Sequence, residues 1–226
     1  MIGVFDSGVG GLTALSELRK LLPRADIIYL ADRENAPYGT KGEEELSRLV
    51  KSDIDRLLDM GAEKILVACC TASTVIHLLP QYANDAAIPI IEPAARAAAS
   101  LAENGRIAVI ATKRTVSSHA FRRSAQKLGD FCVCEWEAQR LVSLVESGER
   151  DGSLSPEASK YLDELLYPIR EYAPDALILG CTHFPHLEAE IGARLPKVKL
   201  INPSREGAIA LAGCYAPRGE GRTIFL

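Results

Sequence analysis

The chain has 226 residues, 47% of them hydrophobic and 25% charged, and its formal net charge at neutral pH is −4. That balance provides no basic surface for nucleic acid or an anionic membrane, and no apolar run approaches the ~18 residues that cross a bilayer. The first residues lack the pattern of a signal peptide, so we expect a cytoplasmic protein with a small-molecule partner and no nucleic-acid or membrane partner.

Short apolar runs alternate with amphipathic segments along the whole chain, which predicts strands and helices in turn. In the first half the predicted strands cover residues 2–5, 26–32, 64–70 and 89–92, and the helices cover 12–22, 43–60 and 72–82. In the second half the strands cover residues 106–112, 131–136, 175–181 and 199–202, and the helices cover 94–103, 113–127, 137–147, 157–172 (broken at Pro168), 187–195 and 204–214. The tail, residues 218–226, is expected to be loosely held.

Strands that alternate with helices are typical of parallel α/β sheets. The two halves repeat a similar element order, so we predict two doubly wound parallel-sheet lobes related by a pseudo-two-fold axis. The predicted domains are residues 1–93 and 94–203, with residues 204–226 packing back on the first lobe. A cleft between lobes is a common ligand site, and we expect the active site there.

Two apolar runs end in a cysteine turn: LVACCT at residues 66–71 and LILGCTH at residues 177–183. Each resembles a buried strand, and the carboxyl ends of such strands are where open α/β sheets hold their chemistry. A single cysteine there can equally be a small buried hydrophobe. Two in matching contexts favour a functional pair, Cys69 and Cys181.

If the lobes face each other, Cys69 and Cys181 approach a small molecule from opposite sides. Such an arrangement suits removal of a proton on one face of a carbon and its return on the other, which inverts a stereocentre. The thiolate is the competent base, so we expect the helix that follows each turn to lower the thiol pKa.

Polar residues near these turns have two interpretations each. Asp6 and Ser7 open a glycine-rich turn that favours an anionic ligand, or Asp6 caps the next helix. Thr71 and Thr182 can bind a substrate carboxylate or cap a helix. His183 can assist Cys181 as a neighbouring acid, or it is an ordinary residue at a helix start.

The six cysteines show no zinc-type spacing, since they provide only C-C and C-x-C pairs, and we expect no metal. Pro37, Tyr38 and Gly39 define a loop conformation that either belongs to the site or is an ordinary turn.

The chain resembles the cofactor-independent aspartate/glutamate racemase superfamily, and within it the glutamate racemases, over nearly its whole length. The matching segments are FDSGVGGL at 5–12, APYG at 36–39, ACCTAS at 68–73, IIEP at 90–93, IATKRTVSSHAF at 110–121, LVESG at 144–148 and LGCTHFPHL at 179–187. The resemblance implies a two-base racemase of two α/β lobes that needs no pyridoxal phosphate or other cofactor. It also implies a homodimer that makes D-glutamate for peptidoglycan.

The resemblance also implies a role for each matching residue. The residue matching Cys69 takes the proton from D-glutamate and that matching Cys181 takes it from L-glutamate, while Glu146 and His183 assist Cys181. Asp6 and Ser7 would lie at the α-carbon and amino group of the substrate. Pro37, Tyr38 and Gly39 would form the wall of the pocket. The substrate carboxylates would be bound by Thr71, Thr115 and Thr182.

One position departs from the family pattern. The family's first motif is Cys-Asn-Thr, and here Cys70 replaces the asparagine that binds substrate. A thiol is a poor hydrogen-bonding replacement for an amide, and the lost bond costs about 1.5–3 kcal/mol. The alternatives are therefore a racemase for aspartate or another amino acid, and a weakly active or non-catalytic binding homologue.

Overall fold

The computed structural model of the chain describes residues 1–216 and 219–226. Its strands are β1 (Ile2–Asp6), β2 (Ile27–Ala31), β3 (Lys64–Val67), β4 (Ala87–Pro89), β5 (Arg106–Ala111), β6 (Cys132–Glu137), β7 (Ala176–Gly180), β8 (Lys199–Ile201) and β9 (Thr223–Phe225). Its α-helices are α1 (Leu12–Leu21), α2 (Glu43–Asp59), α3 (Cys70–Ser73), α4 (Gln81–Ala86), α5 (Ile91–Leu101), α6 (Lys113–Ser118), α7 (Ala120–Gln126), α8 (Gln139–Glu146), α9 (Pro156–Tyr172), α10 (Glu188–Arg194) and α11 (Pro203–Cys214). Short 3-10 helices cover Tyr38–Thr40, Ile76–Leu78 and Phe184–Leu187.

The strands form two parallel sheets with the same topology. The first has the order β4-β3-β1-β2-β9, and the second, taken in the same sense, has the order β8-β7-β5-β6. The first four strands of each half therefore occupy equivalent places, and β3 and β7, which precede the two cysteines, correspond. The predicted α/β fold with two doubly wound parallel-sheet lobes is confirmed.

The sheets are buried on both faces, as continuous apolar strands require. Strands β1 and β7 have no exposed or half-exposed residue. One cluster of buried side chains spans both lobes, because α5 packs on α7, α11 and β7. Two further clusters cover the outer faces, one under α2 and one under α9. The shared core brings the carboxyl ends of both sheets to the same region between the lobes.

Two predicted elements near the end of the first half are wrong in detail. The strand predicted at residues 89–92 is β4, Ala87–Pro89, and α5 begins at Ile91 and runs across the boundary predicted between residues 93 and 94. Proline is well tolerated in the first turn of a helix, where its missing N–H has no intrahelical partner. The helix predicted at residues 72–82 is instead α3, a 3-10 turn and α4, because Pro80 cannot continue a helix.

Two helix predictions in the second half also change. The helix predicted at residues 113–127 divides into α6 and α7 at His119, whose φ of 50° lies in the left-handed region. Helix α9, by contrast, continues through Pro168, which was expected to break it.

The tail is more ordered than predicted. Arg218 lies outside the described residues, but β9 extends the first sheet by pairing in parallel with β2. The Asp26 carboxylate accepts hydrogen bonds from the backbone N–H groups of Glu220 and Arg222 at 3.1 and 2.9 Å. Gly219 packs so closely that a Cβ would lie 2.6 Å from the Asp26 carboxyl carbon. These backbone contacts attach the end of the chain to the first lobe.

Candidate active site

A small cavity of about 50 Å³ lies between the lobes at the carboxyl ends of their strands. A more open groove of about 450 Å³ lies elsewhere, beside Arg123 and Lys127, but neither thiol lines it. The residues that line the small cavity are Ser7, Gly8, Ala36, Pro37, Tyr38, Gly39, Cys69, Cys70, Thr71, Thr112, Gln139, Val142, Glu146, Cys181, Thr182 and His183. One thiol from each lobe lines this cavity, and of the residues predicted for the site only Asp6 and Thr115, both fully buried, are absent from its lining.

Cys69 lies at the end of β3 and caps the helix that follows. Its Sγ accepts a hydrogen bond from the Ala72 backbone N–H at 3.4 Å and lies 3.5 Å from the Ser7 hydroxyl. The side chain is buried. The N-terminus of α3 is thus capped by the thiol and not by Thr71. The Thr71 hydroxyl instead faces the other lobe.

Cys181 follows β7 and lies beside an imidazole. Its Sγ is 3.5 Å from Nδ1 of His183. Nε2 of His183 lies 3.4 Å from Oε1 of Glu146, close enough for electrostatic attraction but outside hydrogen-bonding geometry. Burial lowers the pKa of His183, so the imidazole beside the thiol favours its neutral form at neutral pH.

The expectation that helix termini lower the thiol pKa values is wrong. Burial and then the Asp6 carboxylate raise the pKa of Cys69 to about 11. Burial also raises the pKa of Cys181 above its ordinary value, with smaller contributions from Cys69 and Asp6. The turn that follows each cysteine is short, and its dipole is weaker than the cost of placing a thiolate in a closed cavity. Both thiols are therefore protonated in the protein alone.

Asp6 holds the glycine turn from inside but does not cap α1, whose N-cap residue is Gly11 and has no side-chain cap hydrogen bond. It is fully buried, and its Oδ2 accepts hydrogen bonds from the backbone N–H groups of Gly8 and Gly11, each at 3.0 Å. Burial raises the pKa of Asp6 to about 6 despite these bonds. The carboxylate thus stabilises the glycine turn and also provides a negative charge near the cavity above pH 6.

Two contacts between the lobes mirror each other. The Thr182 hydroxyl, in the cysteine turn of the second lobe, donates to Oδ1 of Asp6 at the end of β1, at 3.4 Å. The Thr71 hydroxyl, in the cysteine turn of the first lobe, lies 3.0 Å from that of Thr112 at the end of β5. The Thr115 hydroxyl completes a triangle, 3.1 Å from Thr71 and 2.9 Å from Thr112. Each cysteine turn therefore meets the first strand of the opposite lobe.

The loop with Pro37 and Gly39 forms one wall of the cavity, and Tyr38 anchors it. Tyr38 is 1% exposed, and its ring packs on Phe5 with centroids 6.2 Å apart. Its hydroxyl lies 2.5 Å from Oδ2 of Asp32 and 3.0 Å from Oδ2 of Asp53. The loop therefore lines the cavity on one side and is anchored by two carboxylates on the other.

Within the described residues, 1–216 and 219–226, no group of three or more His, Cys, Asp or Glu side chains is arranged to hold a metal ion. A separate search of the same residues finds no helix with the length and apolar character needed to cross a membrane.

Comparison with known proteins identifies the family. The profile of the Asp/Glu/Hydantoin racemase family matches residues 13–211. The chain belongs to this racemase family. The glutamate racemase of Desulforudis audaxviator is 42% identical over 206 residues, which cover 90% of this chain and 74% of that protein. The resemblance found in the sequence motifs is thereby confirmed.

Solved structures agree in fold. A glutamate racemase from Bacillus anthracis superposes with a TM-score of 0.89 at 31% identity, over 100% of this chain and 86% of that one. The glutamate racemase from Francisella tularensis in complex with D-glutamate gives a TM-score of 0.89 at 30% identity, covering 99% of this chain and 86% of that one.

Two polar side chains that line the cavity of this racemase, Thr112 and Gln139, were not predicted. Thr112 follows a buried strand in the same way as Asp6, and that position alone could have identified it. Gln139 begins α8, and its buried Oε1 has no hydrogen-bond partner. A Cβ built on Gly39 would lie only 2.6 Å from that oxygen, so Gln139 of one lobe packs on the loop of the other. No pattern in the sequence predicts that contact.

Proposed function

We propose that this racemase interconverts L-glutamate and D-glutamate by a two-base proton transfer between Cys69 and Cys181. The observation that carries the proposal is the convergence of one thiol from each lobe on a single cavity. Membership of the racemase family supports the reaction type, and glutamate racemases among its relatives support the substrate.

The proposed proton balance is simple. In one direction the Cys181 thiolate takes the α-proton of L-glutamate, and the Cys69 thiol gives its proton to the opposite face of the resulting carbanion. The product is D-glutamate, Cys181 is now a thiol, and Cys69 is a thiolate. The reverse reaction exchanges the two roles, so no cofactor is consumed.

The thiolate needs a source, because the pKa of Cys69 in the protein alone is about 11. A substrate ammonium group brings a positive charge into the cavity, and a nearby cation favours the charged form of a thiol. We assign the ammonium group to the place beside Ser7, which lines the cavity, where the buried Asp6 carboxylate attracts it electrostatically. Binding of the amino acid therefore lowers the pKa of the thiol that must react with it.

The threonine hydroxyls provide the complementary contacts. Thr71 and Thr112 line the cavity, and each can turn its hydroxyl hydrogen from the triangle with Thr115 towards a carboxylate. Thr182 lies on the Asp6 side, next to the thiol of Cys181. We assign these hydroxyls to the substrate carboxylates, and Glu146 and His183 to the orientation of Cys181.

The test is isotope exchange without added cofactor. Purified protein is incubated with L-glutamate in D2O, while α-proton loss is followed by NMR and the D-isomer by circular dichroism. We expect both signals to appear, and we expect Cys69→Ala and Cys181→Ala each to abolish racemisation. Cys132→Ala, which removes an exposed thiol outside the cavity, is the matched control and should keep full activity. Full activity in either cavity variant would contradict the two-thiol mechanism.

The alternative substrate is aspartate or another amino acid, and it is favoured by Cys70, which lines the cavity where the family has asparagine. The same exchange assay with L-aspartate tests it. A protein that exchanges neither amino acid, although folded, would be a binding homologue without catalysis.

We further propose that the D-glutamate formed here supplies peptidoglycan synthesis in the cytoplasm, and that the enzyme acts as a homodimer. Rescue of a D-glutamate auxotroph by the gene, and its loss with Cys181→Ala, tests the first point. Light scattering of the purified protein tests the second, and a mass of one chain at working concentration would contradict it.

A further inference from the structure

Two carboxylates converge on one phenol behind the wall of the cavity. The Tyr38 hydroxyl lies 2.5 Å from Oδ2 of Asp32 and 3.0 Å from Oδ2 of Asp53. Asp32 follows β2, whereas Asp53 comes from the middle of α2. None of the proposed catalytic steps uses Asp53, and no motif in the sequence pointed to it.

The number of hydrogens available to the three side chains indicates how they are protonated. A phenol has one hydrogen and can donate only one good hydrogen bond. The shorter contact, to Asp32, takes that hydrogen, and the other oxygen of Asp32 accepts from the Asn35 side-chain amide at 3.0 Å. Both oxygens of Asp32 are therefore acceptors. With the phenol hydrogen on the Asp32 side, the contact between Tyr38 and Asp53 is a hydrogen bond only when the Asp53 carboxyl carries a second proton and donates it.

The charges around Asp53 favour that proton. Burial and the Asp32 carboxylate raise the pKa of Asp53 to about 7, against the Tyr38 hydrogen bond and the guanidinium of Arg56. In the described part of the chain, the titratable or charged groups that act on Asp53 are Asp32 after β2, Tyr38 in the 3-10 helix and Arg56 on α2 itself. The other elements that pack on α2 are β1, β2, α3, α4 and the 3-10 helix Ile76–Leu78, which carries His77. Among the described residues, none of these elements contributes a charge that shifts the pKa of Asp53.

We propose that Asp53 is a positioning residue of this racemase. As a neutral acid it donates a hydrogen bond to the Tyr38 oxygen. The resulting chain of hydrogen bonds from Asp53 through Tyr38 to Asp32 holds the Pro37–Gly39 wall over the thiols. Ionisation of Asp53 removes that bond and leaves two carboxylates sharing one phenol hydrogen. The wall then loses one of its two polar anchors, and substrate binds a less ordered site. This inference rests on the proposed racemase function.

The kinetic test compares Asp53→Asn with the wild-type enzyme. The asparagine amide donates to the Tyr38 oxygen at every pH, so the ratio of kcat/KM, variant over wild type, should be near one at pH 6. At pH 8.5 the wild-type enzyme has lost the Asp53 hydrogen bond and the variant has kept its own. The ratio should therefore rise about fivefold, which is the effect of one net hydrogen bond. Taking the ratio cancels the titration of the thiols, which both proteins share. A ratio that stays flat from pH 6 to 8.5 would overturn the proposal.

Two further variants separate this role from general stability. Asp55→Asn, on the same helix but paired with Lys51, should give a flat ratio. In a Tyr38→Phe background, which removes the bridging oxygen, Asp53→Asn should also give a flat ratio. A pH-dependent ratio in that background would mean that Asp53 acts by another route.

A spectroscopic test does not depend on activity. In wild-type protein labelled at aspartate Cγ and tyrosine Cζ, the Asp53 resonance, assigned by its loss in Asp53→Asn, should titrate with a midpoint near 7. The Tyr38 Cζ resonance should move with the same midpoint. A midpoint below 5, or a Tyr38 signal that does not follow Asp53, would refute the chain even in an active enzyme. Absence of racemisation together with both titrations would refute the proposed function and leave the Asp53 assignment intact.

Discussion

The lobes approach each other closely at Gly10, and a single methyl group there should separate them. A Cβ built on Gly10 would lie 2.3 Å from Oγ1 of Thr182, 2.9 Å from its Cβ and 3.1 Å from Cε1 of His183. Rotation of the Thr182 side chain can relieve the first contact. It cannot relieve the second, because the backbone determines where a Cβ lies. We therefore predict that Gly10→Ala moves the second cysteine turn away from the first lobe.

The structure determines the size of the effect. Ordinary contact between such atoms begins near 3.4 Å, so relief of the closest contacts requires a displacement of roughly 0.5–1 Å at the residue next to Cys181. A misplacement of about 1 Å between reacting groups costs on the order of 10²-fold in rate, or about 2.7 kcal/mol. The same shift weakens the 3.4 Å hydrogen bond from Thr182 to Asp6, which links the lobes.

The assay is racemisation of L-glutamate followed by circular dichroism, with kcat and KM determined separately. We expect kcat/KM of Gly10→Ala to fall by about two orders of magnitude, while the far-ultraviolet spectrum stays that of a folded protein. Gly213→Ala is the matched control, because a Cβ at that exposed helix position meets no atom within 4 Å. Activity of a folded Gly10→Ala protein within twofold of wild type would refute the reasoning that the lobes must meet at this distance.

Three other substitutions test individual side chains of the cavity. Asp6→Asn removes a negative charge that raises the pKa of Cys69, so the rise of kcat/KM with pH should move to lower pH; an unmoved profile would contradict this. Cys70→Asn restores an amide to the cavity wall and should raise glutamate turnover by roughly ten- to a hundredfold, and a decrease would show that the thiol suits this protein's own substrate. Gln139→Leu removes a buried, unpartnered carbonyl, and we expect KM for glutamate to rise about fivefold with kcat unchanged, whereas an unchanged KM would place the amide outside substrate contact.

The parts of the fold that were predicted are those determined by local sequence. Apolar runs such as residues 177–180 can only be strands buried on both faces, and the polar residue after each run must lie at the sheet's carboxyl edge. That reasoning located Asp6, Cys69 and Cys181 without any knowledge of how the sheets pack. The same reasoning fails at β9, because an edge strand of three residues carries too little pattern. It is held by Asp26, almost 200 residues earlier in the chain.

The parts of the site that were missed depend on contacts between the lobes or on solvent exclusion. Gln139 enters the cavity only because α8 of the second lobe faces Gly39 of the first. Asp53 looks like an ordinary polar position on an amphipathic helix until Asp32 and Tyr38 are brought beside it. The thiol pKa values were predicted in the wrong direction, because the dipole of a following helix can be read from sequence and the degree of burial cannot.

The raised pKa of the thiols agrees with the reaction that we propose. With a pKa of about 11, roughly one Cys69 side chain in a thousand is a thiolate at pH 8. The few thiolates that form are, however, stronger bases than those of an exposed cysteine, and the α-proton of an amino acid is very weakly acidic. A site that lowered the thiol pKa permanently would gain thiolate and lose basicity. A site that leaves the pKa high, and relies on the substrate ammonium beside Asp6 to favour ionisation, forms the strong base only where its substrate is bound. The Asp6 carboxylate opposes thiolate formation in the protein alone, and in the complex that we propose it attracts the ammonium group that offsets this effect.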